Sequence, residues 1–376
     1  IGASGFPNPL PSTVPSNLTF GYLSGTEIAN YVGGLSAPNS LAQVGFYPYP
    51  TGFVAPATMY FRYRFQLDPT VDPATYLLEH DARTPLFYLE GMSRVLMSAQ
   101  DDKKMARLNA QFKALEDGLG VMDYYTGLLK DFKKIKQLPE FQQNLETHRT
   151  IAAAQMNTLL EQYGWLDNFD TTATDGAEAQ SDRLKKIQKM YKKIDWLSDK
   201  KMRKALKKHY KGALDELKQQ LKRPITEVER DMHELRRDVR WLSIYPQAFK
   251  GFINLAPSEP MPEAFAKYAT EAIVQSPFNQ LPQVEGMTHI LYLNTHAYYA
   301  MSWLIAELGA LKDQGLRLLA LTDWLVEHKK LSPSQANQAA VMIIGNDQLG
   351  VEKLLAKAQE AVDQIRQDKV FSQLLA

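Results

Sequence analysis

From residue 73 onward, apolar positions recur every three or four residues over long stretches, the spacing of one face of an α-helix. The pattern predicts helices at roughly 73–98, 101–134, 139–164, 179–196 and 198–222. A second series follows at roughly 225–254, 261–275, 285–329, 333–345 and 350–373. Start signals support several of these. Asp72-Pro73 and Ser332-Pro333 each place a capping side chain before a proline at the first helical position, and Ser198 stands before Asp199 and Lys200. Asp167–Gly176, rich in Asp, Thr, Asn and Gly, reads as a loop. Period-two alternation is almost absent beyond residue 60, so the body is expected to be all-α. Residues 1–60 differ. Spaced Pro and Gly break any long helix there, and Gly45–Phe53 has room only for short strands.

Composition sharpens this division. From Ile1 to Phe61 the only charged side chain is Glu27, and the stretch holds 8 prolines and 8 glycines with Tyr22, Tyr31, Tyr47, Tyr49 and Tyr60. We read it as an irregular arm whose aromatic surface gains from packing on the body, on a partner or on a second copy of the chain. Over the whole chain the formal charge is only +1, but residues 181–223 contain 16 Lys/Arg against 5 Asp/Glu, a net of +11. The remainder carries 27 against 37, a net of −10. A stretch this cationic needs acidic surface elsewhere on the molecule or an external polyanion.

The 376-residue chain has no cysteine. That excludes disulfides, a cysteine nucleophile, iron–sulfur clusters and cysteine zinc sites, and it leaves the compartment open, since thiol-free chains suit cytosol and periplasm alike. No basic start with an apolar centre marks a signal peptide. Gly286–Ala306 lacks Asp, Glu, Lys and Arg, but it includes His289, Asn294, Thr295, His296 and Ser302, so a buried helix is expected rather than a membrane span. His289 and His296, seven apart on one face of that helix, lack carboxylates at ligand spacing and read as core or interface residues. There is no HExxH, Walker loop, G-x-G-x-x-G or G-x-S-x-G. The acid pairs Asp101-Asp102 and Glu116-Asp117 look like helix-start or solvent-face residues. No catalytic residue, metal ligand or cofactor is therefore predicted, and the chain reads as non-enzymatic.

An internal repeat is visible. His80-Asp-Ala-Arg83 opens an apolar run from Leu86 to Leu96, and His233-Glu-Leu-Arg236 opens one from Val239 to Phe252. Downstream, Leu119-Gly120 is followed by Asp123, and Leu308-Gly309 by Asp313. The second copy is longer between these marks, which places an insertion around Asn254–Gly286, where five prolines fall.

With these residues the chain resembles the CHAD family, α-helical domains built from two such units. In that family each His-x-x-Arg is followed by further basic residues, and a second helix carries Leu-Gly-x-x-x-Asp. The resemblance covers about residues 60–376. It implies two pseudo-repeated antiparallel helical bundles, 61–223 and 224–376, preceded by the arm 1–60. It also implies binding of inorganic polyphosphate or another polyanion on a basic surface between them.

The residues expected to carry this are His233, Arg236, Arg237 and Arg240, a two-turn stripe, with His80 and Arg83 from the first copy. Lys185, Lys186, Lys189, Lys192 and Lys193 on one helix, and Lys204 and Lys208 among the lysines of the next, complete the set. This chain departs from the family where Thr84-Pro85, Phe87-Tyr88, Trp241 and Ser243 occupy positions that should be basic, so the first-copy site is expected to be weakened. The alternative is a scaffold protein whose anion site has decayed and which meets partners through its arm.

Overall fold

Asp72 starts the helical body as the sequence predicts. Its carboxylate accepts the backbone N–H of Thr75 at 2.7 Å, and Pro73 opens the first helix. The computed structural model describes residues 71–100, 103–135, 138–166, 196–257, 260–281, 283–345 and 350–375. It also describes isolated residues between 186 and 193, and the backbone of strands Gln43–Phe46 (β1) and Phe61–Arg64 (β2). These two strands pair antiparallel, with Val44 opposite Tyr63. The rest of the predicted arm, the loop 167–176 and most of the predicted helix 179–196 lie outside the described residues.

The described body is mostly helical. The expected helix 73–98 is two helices, Pro73–Glu79 (α1) and Arg83–Gln100 (α2). Between them Asp81 adopts φ +52°, a left-handed conformation that Asp tolerates better than most residues. Pro85 falls in the first turn of α2, where its missing N–H has no intrahelical acceptor to lose. Lys103–Phe132 (α3) and Pro139–Gln162 (α4) follow, and with α1 they bury a small cluster that includes Ala74, Leu119, Met122, Ala152 and Met156. Asn157 on α4 accepts the N–H of Ala74 at 3.0 Å and ties α1 down.

Asp199–Gln220 (α5) buries Met202, Leu206, Tyr210, Leu214 and Leu217, a line at helical spacing. The hydroxyl of fully buried Tyr210 donates to the carbonyl of Leu242 at 2.7 Å. A π-helical turn, Val228–His233, leads into Glu234–Ala248 (α6). The proline-rich insertion then holds Ile253–Leu255 (β3), the short helices Glu263–Ala266 (α7) and Glu271–Val274 (α8), and a 3₁₀ turn at Pro277–Asn279. It returns to Leu291–Leu293 (β4), which pairs parallel with β3.

This strand corrects the expected helix 285–329. The helix begins only at Thr295, because the backbone of 291–293 is committed to β3, and Thr295–Lys329 (α9) is capped by the side chain of Asn294. His289 and His296 therefore do not share a helix face. His296 is buried in the first turn of α9, and His289 precedes β4. Among the described residues no helix is long and apolar enough to cross a membrane. The chain closes with Pro333–Ile344 (α10), which starts in a capping box of Ser332 and Gln335, then Val351–Gln367 (α11) and Val370–Gln373 (α12).

Helices from both halves of the chain share one main core. At its centre α2 packs on α6, where Gly91 lets the backbone approach Trp241, Ile244 and Tyr245 closely. Helix α5 lies against both α2 and α6 and reaches β4 and α12, so it belongs to the whole core rather than to the first half alone.

Candidate anion-binding site

Two arginines meet two glycines on either side of the α2–α6 contact. Arg83 is the first residue of α2. On α3, Glu116, Gly120 and Asp123 stand at i, i+4 and i+7, hence on one face. Arg83 donates from Nε to Glu116 at 2.7 Å and from Nη1 to Asp123 at 2.8 Å. Its guanidinium lies against Gly120, where a Cβ would come within 2.7 Å of Nη2. Arg236 on α6 repeats the placement over α9. Its Nε donates to the carbonyl of Ile305 at 3.2 Å, and a Cβ on Gly309 would lie 3.0 Å from that Nε. Asp313 acts on Arg236 electrostatically rather than by a hydrogen bond, because it is paired with Lys312 at 2.7 Å.

Arg240, one turn beyond Arg236, stacks on Phe87 with its guanidinium carbon 4.4 Å from the ring centroid. Arg83 approaches the same ring at 5.4 Å. Phe87 thus stands where a further basic residue was expected, and it holds two cations by its ring face. Among the described residues neither Arg236 nor Arg240 has a carboxylate in salt-bridge range. Burial and the nearby Arg236 and Arg83 push Arg240 down to about 10, which leaves it charged at neutral pH but records the crowding. His233 is pushed down to about 4 by burial and then by Lys312, Arg236, Arg237 and Arg83. Lys312, Arg236 and Arg83 around one neutral imidazole, with Arg240 one turn beyond Arg236, make a seam of positive potential that Glu116, Asp123 and Asp313 only partly offset.

The other predicted residues divide. Arg237 leaves the stripe, exposed and paired with Glu234. His80 is not in the seam: it ends α1 rather than opening α2, stacks on Tyr76 at 3.8 Å and is exposed. Lys185 lies outside the described residues, and Lys186, Lys189, Lys192 and Lys193 are exposed. Lys204 and Lys208 are exposed on α5. Helix α6 turns Asp238, Trp241 and Tyr245 toward α5, roughly half a turn away from Arg236 and Arg240 at about 100° per residue. The expected common surface is therefore two cationic regions, an arginine seam and a lysine face, on opposite sides of α6.

Three residues of this region are absent from the set predicted by sequence. Lys312 is adjacent to Asp313 in the repeated motif, and that adjacency was its signal. Glu116 reads as a solvent-face acid in the sequence, yet its side chain is 8% exposed and it pairs with Arg83. Its signal was its place one turn before Gly120. Arg94 gave none. It pairs with buried Glu90 at 2.7 Å and lies 4.0 Å over Trp241. Among the described residues no group of three or more His, Asp or Glu is placed to hold a metal ion. No protein family, curated protein or solved structure matches the chain.

Proposed function

We propose that this protein is a divergent CHAD-like pair of helical bundles that binds a phosphate-rich polyanion without catalysing a reaction. The observation that carries the reading is the arginine seam. Arg236, Lys312 and Arg83 act on His233, Arg236 and Arg83 act on Arg240, and neither Arg236 nor Arg240 has a carboxylate in salt-bridge range among the described residues. Guanidinium forks match phosphate oxygens two at a time, and a neutral imidazole gains its proton when an anion offsets the cations around it. The paired placement of Arg83 over Gly120 and Arg236 over Gly309 supports the pseudo-repeat. The lysine face of α5 contributes long-range attraction. Lys200, Lys201, Lys204, Lys207, Lys208 and Lys211 are all exposed, and the pair that α5 forms among the described residues, Lys218 with Asp215 at 3.6 Å, lies at its other end.

The test is a salt titration of inorganic polyphosphate binding. Log K is expected to fall linearly with log salt, with a slope of about −0.7 to −0.9 per phosphate neutralised. The Arg236→Ala/Arg240→Ala variant is expected to bind at least tenfold more weakly. Failure to bind at low salt, or a Kd that salt leaves unmoved, refutes the reading.

A further inference from the structure

Arg240 is the least committed cation of the seam. Arg83 uses Nε and Nη1 on Glu116 and Asp123, and Arg236 uses Nε on the carbonyl of Ile305. The side chain of Arg240 makes no hydrogen bond and no salt bridge among the described residues. Its nitrogens are not among the buried unpaired atoms, so water reaches them. A half-buried guanidinium with every N–H donor unused needs something else to hold it in place.

What holds it is a ring. Phe87, 6% exposed, lies with its centroid 4.4 Å from the guanidinium carbon of Arg240. A ring face attracts a cation through its quadrupole and takes up none of the N–H donors. A carboxylate in that place would also fix the guanidinium, but it would occupy donors and cancel the charge, as Glu116 and Asp123 do for Arg83. The ring is itself held. Trp241 meets it edge-on at 5.9 Å, and Arg94 covers Trp241 at 4.0 Å. Against this hold stand Arg83 and Arg236, whose like charges act on Arg240.

We infer that Phe87 is a positioning residue of the anion site: its ring keeps the Arg240 guanidinium in the seam with all of its donors free for phosphate oxygens. The inference rests on the polyanion reading and names a residue that tunes that same site. It also gives a physical reason for one departure from the family pattern. Phe87 stands four residues after Arg83, as Arg240 stands four after Arg236. A basic residue at 87 would face Arg240 at contact distance and repel it. The aromatic ring turns that encounter into attraction.

Salt titrations of inorganic polyphosphate binding by the parent, Phe87→Leu, Arg240→Ala and the double variant test this. Phe87→Met serves as a second ring-free variant, and urea denaturation shows that each is folded. Phe87→Leu removes no charge, yet it is expected to weaken binding roughly three- to tenfold. Its salt slope should become shallower by about 0.7 to 0.9, one phosphate's worth, as in Arg240→Ala. In the double variant the second substitution should add little, because the ring acts only through the guanidinium. Parent-like affinity and slope in both ring-free variants, or losses that add in full, overturn the positioning role and leave the anion reading standing. Weaker binding with the parent's slope assigns Phe87 to packing alone and overturns it as well. Absence of binding by the parent at low salt overturns both.

Discussion

Arg83 and Arg236 are placed alike and neutralised differently. Each lies across a glycine on the neighbouring helix. Arg83 is clasped by Glu116 and Asp123, whereas Arg236 has a backbone carbonyl and an aspartate already held by Lys312. The first contact is a closed ion-pair cluster that joins two helices. The second is a guanidinium fixed in direction with unused capacity for an anion. One skeleton thus holds a neutralised guanidinium in one place and, in the other, one without a carboxylate in salt-bridge range, which is the receptor that the proposed function requires.

The largest effect is expected at the glycines. Gly309→Val drives side-chain carbon into Nε and Cζ of Arg236, the anchored middle of that side chain, and should destabilise the fold by ~2 kcal/mol. Gly120→Val meets chiefly Nη2, the far end of Arg83, and can displace it at the expense of the pair with exposed Asp123, so it should cost about half as much. Urea denaturation of both variants measures this. Equal losses dissolve the asymmetry.

Glu116→Ala converts the clasp toward the receptor. Arg83 loses a buried partner while 31% of its own side chain stays exposed, so water recovers part of the loss and ~1 kcal/mol of destabilisation is expected. Polyphosphate should bind more tightly and with a salt slope steeper by up to about one phosphate's worth, because Arg83 then keeps only the exposed Asp123 as a partner. A variant that loses stability without gaining affinity shows that the seam holds the polymer only at Arg236 and Arg240.

His233 gives the pH arm of the comparison. Its pKa in the fold, about 4, lies below the ordinary 6.5, so the unfolded chain binds the proton first as pH falls. The histidine's contribution is fully present above about 6.5 and is lost progressively between 6.5 and 4. His209, pushed down to about 4 by burial and Arg94, adds in the same direction. Tm should therefore drop across this window, and less steeply in His233→Gln. Polyphosphate supplies the negative charge that restores the proton on His233, so its affinity should rise from about pH 7 to 5 and a proton should be taken up on binding. An affinity flat in pH removes His233 from the site.

Much of this was legible in the chain. Helical spacing marked α3, α4, α5 and α10 to within a few residues and merged α11 with α12, and the two His-x-x-Arg and Leu-Gly pairs marked Arg83, Gly120, Arg236 and Gly309 as repeated positions without saying that each arginine meets its glycine. The breaks were not legible. Asp81 interrupts a helix without a glycine or proline at the turn, and the helix expected from 285 is displaced by a strand whose partner lies 38 residues away. Pairing at that distance leaves no local trace. The division of the cationic residues was hidden for a different reason. Periodicity places residues on a face of their own helix, whereas which face of α6 meets α5 is set by tertiary packing of Trp241 and Tyr245 against His209, Tyr210 and Arg94.

The smallest expected effect falls on the lysine face, and it separates attraction from grip. Lys207 and Lys211, four apart and exposed, repel one another across one turn of α5. Replacing both by alanine should leave stability within ~0.5 kcal/mol of the parent, because little but like-charge repulsion is removed. Polyphosphate affinity should fall modestly at low salt, and the salt slope should become shallower by ~1 for each phosphate that the lysines no longer neutralise. The deficit of the Arg236→Ala/Arg240→Ala variant is expected to remain large even at high salt, since half-buried guanidiniums are screened less than ammonium groups in water. A lysine variant with an unaltered slope means that the polymer never reaches α5 and that the seam alone holds it. A slope that collapses while the arginine variant still binds moves the site to α5, and the asymmetry between Arg83 and Arg236 is then purely structural.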